Sequence, residues 1–382
     1  MLFDTVVVGG GPAGCYTAEG LARRGYRVLV IEEHPEIGLP ARCTGLIGEE
    51  AFRRFDLPAA ATQRVVSTIT AYGPRGTTVR YAAGRPLARV VDRPRFDALL
   101  AARARERGAL FRLGARVTAI RTSPAACTVR LENGERITAR AVILATGARS
   151  PLPGQLGLGR LPQFVFGAQV EVAVDGVEEI EVYLGRSLVP GSFAWMVPTV
   201  PGCARVGLTA YDHPADRLAA FLDDPRIRAR LAAAPPPPTV APIPLGTLPQ
   251  TAAGRVLVVG EAAGQVKTST GGGVYFGLLG AEIAVDVLSG ALADDDLSGT
   301  RLAAYDARWR ALLGPEIRLG LRLRRWARRL DDRAIAFFLD LAGRDGVLET
   351  VRRLGTFDWH APVIRKLFAG RDRSAPATSR KR

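Results

Sequence analysis

Cysteine, histidine and lysine are scarce in this 382-residue chain, and their spacing excludes whole classes of chemistry. Cys15, Cys43, Cys127 and Cys203 lie far apart with no CxxC pair, and His34, His213 and His360 are equally scattered. Zinc centres and iron–sulfur clusters need clustered ligands, so no metal site is expected. No stretch reads as a clean transmembrane helix. The most apolar long run, 271–293, carries Glu282 and Asp286. A bilayer core penalises both, so a helix buried in the protein's own core is expected there. The first residues lead straight into a strand, without a charged region followed by a cleavable apolar stretch. A cytoplasmic location with reduced thiols is the expectation. Internal repeats and nucleic-acid motifs are also missing, so no nucleic-acid partner is expected.

Nearly half the residues are apolar and glycine is abundant, as in a globular α/β protein with a sizeable core. The net charge of +15 is almost all arginine, because lysine occurs only at 267, 366 and 381. Biased codon usage alone can produce such an excess. The functional alternative is attraction to an anion, either a diphosphate or a membrane surface.

Hydrophobic periodicity organises the chain. Asp4–Gly9 reads as a strand, Pro12–Arg24 as a helix and Arg27–Glu32 as a second strand. Short strands follow over 67–91, then a helix over Asp92–Arg107 and a strand over Arg112–Ile120. Cys127–Leu131 and Arg136–Ala139 form a hairpin turning at Asn133–Gly134, and Ala141–Ala145 is an apolar strand. Further strands are expected at Phe166–Ala173, Ile180–Leu184, Phe193–Val197 and Ala204–Leu208, with helix around Pro214–Ala233. Prolines between 235 and 249 keep the next stretch extended. Val256–Gly260 is a last buried strand, followed by a helix from Gly272 and helical sequence to Leu367. The order implies a discontinuous nucleotide-binding domain (1–66, 92–160 and 250–293) and a strand-rich insert (67–91 and 161–249). A helical C-terminal region (294–370) and a flexible tail (371–382) complete the expected plan.

Gly9-x-Gly11-x-x-Gly14 follows an apolar strand and opens a helix, with an acidic residue, Glu32, at the end of the next strand. Gly9 permits the tight turn, Gly11 admits a pyrophosphate to the backbone, and Gly14 lets helix and strand approach. The helix N-terminus, with Pro12 and Ala13, offers free N–H groups to phosphate. Glu32 suits the adenosine ribose hydroxyls; Glu33 competes for that role or is solvated. The motif alone does not separate FAD from NAD.

Further segments come in a set order: Gly38-Leu-Pro-Ala-Arg42-Cys43-Thr-Gly45, Asp92-Arg93-Pro-Arg-Phe96-Asp97, and Ala145-Thr146-Gly147. Phe193-Ala-Trp195-Met-Val197-Pro198 follows, then Gly260-Glu261-Ala-Ala-Gly264 with Gly271-Gly272-Gly273. Together they resemble the geranylgeranyl reductase family of FAD enzymes, within the hydroxylase-like flavoprotein superfamily, over roughly residues 1–290. The resemblance implies an α/β fold: a Rossmann-type FAD-binding domain with an inserted antiparallel sheet and a helical C-terminal region.

It also implies roles. Glu261 stands where the family has aspartate on the flavin ribityl chain. Gly271–Gly273 admit the isoalloxazine ring, and the helix after them favours the anionic reduced flavin. Arg93, beside Arg42, Thr146 and Gly147, falls in the flavin-binding set, or else caps its own helix. Phe193, Trp195 and Val197 share one strand face, which with Pro198 matches the family's substrate motif and would wall a polyprenyl pocket, or else is an ordinary core face. Cys43 sits where the family places a cysteine near flavin and double bond, as pocket wall or proton route, or is a core filler.

The implied reaction saturates isoprenoid double bonds of a polyprenyl lipid or polyprenyl diphosphate by hydride from reduced FAD plus a proton. An external donor such as NAD(P)H, ferredoxin or quinol reduces the flavin. The alternatives are a flavin monooxygenase acting on an apolar substrate and a non-catalytic electron-transfer flavoprotein. A halogenase is disfavoured, since no lysine precedes Lys267. Between 318 and 330, Leu319, Leu323, Trp326 and Leu330 form one helical stripe and Arg318, Arg322, Arg325 and Arg329 the next. That helix either lies at a membrane surface, making the enzyme peripheral, or packs its stripe inward.

Overall fold

Residues 2–369 are described by the computed structural model. The strands Leu2–Val8, Val28–Ile31, Arg136–Leu144 and Val256–Val258 carry the apolar runs Val6–Val8, Val28–Ile31, Val142–Leu144 and Val256–Val258, buried on both faces. Such runs suit a parallel sheet covered on each side. Val6 lies opposite Val142 and Leu29, and Val142 opposite Val256, all in parallel register. The sheet order is 252–253, 256–258, 136–144, 2–8, 28–31 and 110–112.

Alternation along these strands decides what covers each face. Val7, Val30, Ile143 and Leu257 meet the helices Pro12–Ala22, Arg93–Glu106 and Val274–Ala293 through Leu21, Phe96 and Phe276. Val6, Val8, Val142 and Leu144 face a second core with Cys127, Val129 and Ile137. Val274–Ala293 is long and apolar enough to cross a membrane, yet most of it is buried inside this protein.

Two strand expectations change. Arg136–Leu144 is a single strand, because its first half pairs with the hairpin partner at Cys127 while its second half joins the parallel sheet. The segment expected as Arg112–Ile120 divides into Leu110–Arg112 and Val117–Thr122, broken at Gly114 with φ of 63°.

A seven-stranded sheet forms the second layer, in the order 239–244, 164–173, 203–210, 194–198, 180–183, 68–72 and 78–82. It is antiparallel except where Ile180 pairs with Ile69 in parallel register. The proline-rich segment supplies its edge strand, Thr239–Pro244, the position where missing N–H groups cost no ladder bond. Ala88–Val91 instead pairs with Leu46–Gly48 and Thr62–Val66 in a small third sheet.

The long helix Gly299–Ala327 packs on Val274–Ala293 and buries Tyr305 and Trp309 completely. Asp332–Ala342, Asp345–Leu354 and Ala361–Ala369 follow. The expected flexible tail, 371–382, lies outside the described residues.

Candidate functional site

The first glycine turn is compact where it packs and open where a ligand would lie. Gly9 has φ of 108°, and a Cβ there would stand 2.4 Å from the Ala145 carbonyl oxygen. A Cβ on Gly14 would lie 2.0 Å from the Gly9 oxygen, whereas one on Gly11 would meet nothing within 4 Å. The helix Pro12–Ala22 starts at Gly11 without a side-chain cap, so its first N–H groups stay available to an anion. Glu32 closes the turn: Gly10 N donates to Oε2 at 2.7 Å, and His34 N to Oε1 at 3.0 Å. Glu33 is more exposed and pairs with Arg116 at 3.5 Å.

The second turn is held from behind. Gly260 N donates to Gln265 Oε1 at 2.7 Å, Gln265 Nε2 donates to the Tyr305 hydroxyl at 2.8 Å, and that hydroxyl donates to Val258 O at 2.6 Å. The long helix Gly299–Ala327 therefore buttresses the glycine motif through a fully buried network. Lys267 N donates to Gly272 O and Gly271 N to Lys267 O, closing a tight loop. Gly271 takes φ of 88° in that loop. The helix Val274–Ala293 then begins at Gly273, again without a side-chain cap. Burial pushes the Glu261 carboxyl up, with the Arg93 charge opposing. Its extra methylene carries the carboxylate under Gly273, where a Cβ would stand 3.0 Å from Oε1.

A single cavity of about 1300 Å³ joins both turns, more than the roughly 300–1,000 Å³ that one small ligand occupies. Gly9, Gly11, Pro12, Ala13, Glu32, Glu33, Arg42, Cys43, Arg93, Thr146 and Gly147 line it. So do Gly260, Glu261, Gly271, Gly272 and Gly273, and the strand face Phe193, Trp195 and Val197. Two expected residues fall outside. Gly14 sits behind the turn as a packing glycine, and Pro198 is buried without reaching the cavity. Thr146 Oγ1 and Trp195 Nε1 are buried without a hydrogen-bond partner. Orphaned polar atoms on this wall, two uncapped helix starts and an open Gly11 fit an extended dinucleotide.

Arg93 is held by its own helix neighbour Asp97, with Nη2 2.9 Å from Oδ2, and still borders the cavity. Cys43 stands between two spaces. It lines the large cavity and also a smaller one of about 390 Å³ walled by Gln63, Glu171 and Arg205. Arg205 bonds Thr44 O at 2.7 Å and Glu171 Oε2 at 3.0 Å, which fixes the loop that carries Cys43.

Sequence reasoning missed the C-terminal wall. Phe357, Asp358, Trp359 and His360 line the cavity opposite the second glycine loop. Lys267 and Asp358 form a buried ion pair there. His360 Nδ1 lies 3.0 Å from Ser269 Oγ. Burial and the Lys267 charge hold the His360 ring down to about 3. No local signal marked these residues, because each partner comes from a separate part of the chain.

Comparison with known proteins places this architecture. The model of the lycopene cyclase protein family matches residues 4–188. Among solved structures, a geranylgeranyl bacteriochlorophyll reductase-like protein from Thermoplasma acidophilum superposes with a TM-score of 0.83. The match covers 96% of each chain at 23% identity. The p-nitrophenol 4-monooxygenase of Pseudomonas putida shares the fold with a TM-score of 0.74 at 21% identity, over 92% of this chain and 96% of that one. Digeranylgeranylglycerophospholipid reductase 2 of Methanothermobacter thermautotrophicus is 30% identical over 376 residues, covering 90% of this chain and 93% of its own length. The chain therefore belongs to the digeranylgeranylglycerophospholipid reductase family of geranylgeranyl reductases.

Proposed function

We propose that the cavity holds FAD between its two glycine turns and that the protein saturates isoprenoid double bonds of a digeranylgeranyl-type lipid. The observation that carries this reading is the continuity of the cavity from both turns to the face of Phe193, Trp195 and Val197. The uncapped helix start after Gly11 would hold the pyrophosphate, Glu32 the ribose and Gly271–Gly273 the ring end. Reduced FAD, supplied with electrons by an external NAD(P)H, ferredoxin or quinol, provides hydride.

The chain's own residues supply the rest. The apolar strand face and the wall from Phe357 to Trp359 grip a chain that offers only hydrocarbon surface. They also exclude water from the reacting bond. An isolated double bond is not polarised, so a proton must reach the neighbouring carbon as cationic character develops. Cys43 borders both the large cavity and the smaller polar one, and its thiol passes that proton inward.

The test is product mass. Purified protein supplied with reduced FAD and a digeranylgeranyl glycerophospholipid should add one H₂ per double bond under anaerobic conditions. Gain of an oxygen atom, dependent on O₂, would assign the monooxygenase chemistry instead. A protein that binds flavin but leaves every polyprenyl lipid unchanged would be an electron carrier.

A further inference from the structure

The end of the helix Gly299–Ala327 and the helix Asp332–Ala342 build a surface that the site does not use. Helical spacing predicts a Leu/Trp stripe beside an arginine stripe, and the structure divides the first of these. Leu319, Leu323 and Leu330 are half-buried, whereas Trp326 is 45% exposed. Its ring meets Phe338 edge-on at 4.8 Å, and Phe338 meets Phe337 at 5.4 Å. Phe337 is 59% exposed and Phe338 38%. Three large aromatics in contact and facing water are unusual on a monomer surface.

Charge surrounds them. Arg318, Arg322, Arg325, Arg329 and Arg333 are all exposed. None takes part in an ion pair among the described residues. Of the nearby carboxylates, Asp331 accepts from Ala334 N at 2.8 Å and Asp332 from Arg186 N at 2.7 Å, while Asp340 is exposed beside Phe337 and Phe338, one carboxylate against five arginines.

We propose that this surface docks on an anionic lipid bilayer. Trp326, Phe337 and Phe338 enter the headgroup layer, and the arginines meet lipid phosphates. Aromatic rings favour that interface, and clustered arginines favour a negative leaflet. A protein partner would have to bring a carboxylate-rich, apolar-centred patch; a negative bilayer presents both features already. The position also suits a lipid substrate. Asp332–Ala342 packs on the strand Thr78–Ala82, whose Tyr81 lines the cavity. The two helices that follow add Val351, Val363 and Ile364 to the same cavity. The proposal rests on the polyprenyl-lipid reading for its purpose, and on surface chemistry for its substance.

The experiment uses the full-length flavin-loaded protein with sedimented vesicles of phosphatidylcholine, alone or with phosphatidylglycerol. Binding to the anionic vesicles is expected, with weak binding to neutral ones. Raising salt toward 1 M shortens the Debye length to about 3 Å, and binding should fall at least about tenfold. Trp326→Ser/Phe337→Ser/Phe338→Ser and Arg322→Glu/Arg325→Glu/Arg329→Glu should each weaken partition by about tenfold or more, with melting temperature and bound flavin unchanged. Equal partition of wild type and both variants overturns the proposal, as does failure of wild type to bind anionic vesicles. A change of oligomeric mass in the aromatic variant would also overturn it, by assigning the face to a second copy. Reduction of a detergent-dispersed short polyprenyl lipid is read separately, so loss of reductase activity with vesicle binding intact would count only against the function.

Discussion

Nζ of Lys267 lies 3.1 Å from Oδ1 of Asp358 and donates to Phe357 O at 2.7 Å, with only 3% and 8% of the two side chains exposed. This pair fastens the C-terminal wall to the glycine loop Gly271–Gly273 across the cavity. The C-terminal wall and the second glycine loop are thereby one mechanical unit. The second Asp358 oxygen is buried against Gly48 without a partner.

Lys267→Met leaves that carboxylate buried and unpaired, and should cost about 3–5 kcal/mol in urea unfolding of the apoprotein. Lys267→Met with Asp358→Leu should recover most of the loss, since two apolar groups of similar shape need no partner. KM for the lipid should stay raised in the double variant, because the wall is no longer anchored. A double variant as unstable as the single one would show that the pair does not act as argued.

Gly11 and Gly14 are separated by three positions and should fail in different ways. Gly14→Ala places a Cβ 2.0 Å from a backbone oxygen, so the protein should lose stability or not fold. Gly11→Ala meets open space and should change stability by no more than about 0.5 kcal/mol. The methyl group nevertheless enters the pyrophosphate position, so the purified variant should be folded and colourless. Circular dichroism and flavin absorbance decide it.

Cys43→Ala should lower kcat by about 100-fold or more, the usual scale for losing a proton donor. Flavin content and lipid KM should hold. The pH dependence of kcat should change with it, which loss of a mere wall group would not cause. Retention of full turnover would remove Cys43 from the proton path.

His360 gives a pH signature. Its ring is held down from 6.5 to about 3, by burial first and by the Lys267 charge second. Below pH 6.5 the unfolded chain takes up a proton that the native protein refuses, so this contribution to stability is lost as pH falls toward 3. His360→Gln should flatten the acid limb of a stability–pH curve over that window. An unchanged slope between wild type and variant would show that the ring is not shielded.

Much of the glycine-turn side of the cavity was legible in the sequence because its requirements are local. A strand, a turn with Gly9 and Gly11, and a helix start are consecutive residues. Period-2 alternation alone places Phe193, Trp195 and Val197 on one face, and all three line the cavity. Pro198 does not reach the cavity, because a motif does not show where a strand leaves it. Glu261 was legible as a carboxylate, but its position beneath Gly273 depends on how a longer side chain folds back.

What the sequence by itself determined is the α/β order, the two glycine turns and the apolar strand face, all set by backbone geometry over a few neighbouring residues. The tertiary structure alone decided that Gln265 meets Tyr305, that Lys267 meets Asp358, and that Trp326 is left in water while its leucine neighbours turn inward. Those outcomes depend on which distant elements pack together. A polar side chain carries no periodic mark of its eventual partner, and burial is a property of the neighbours that arrive.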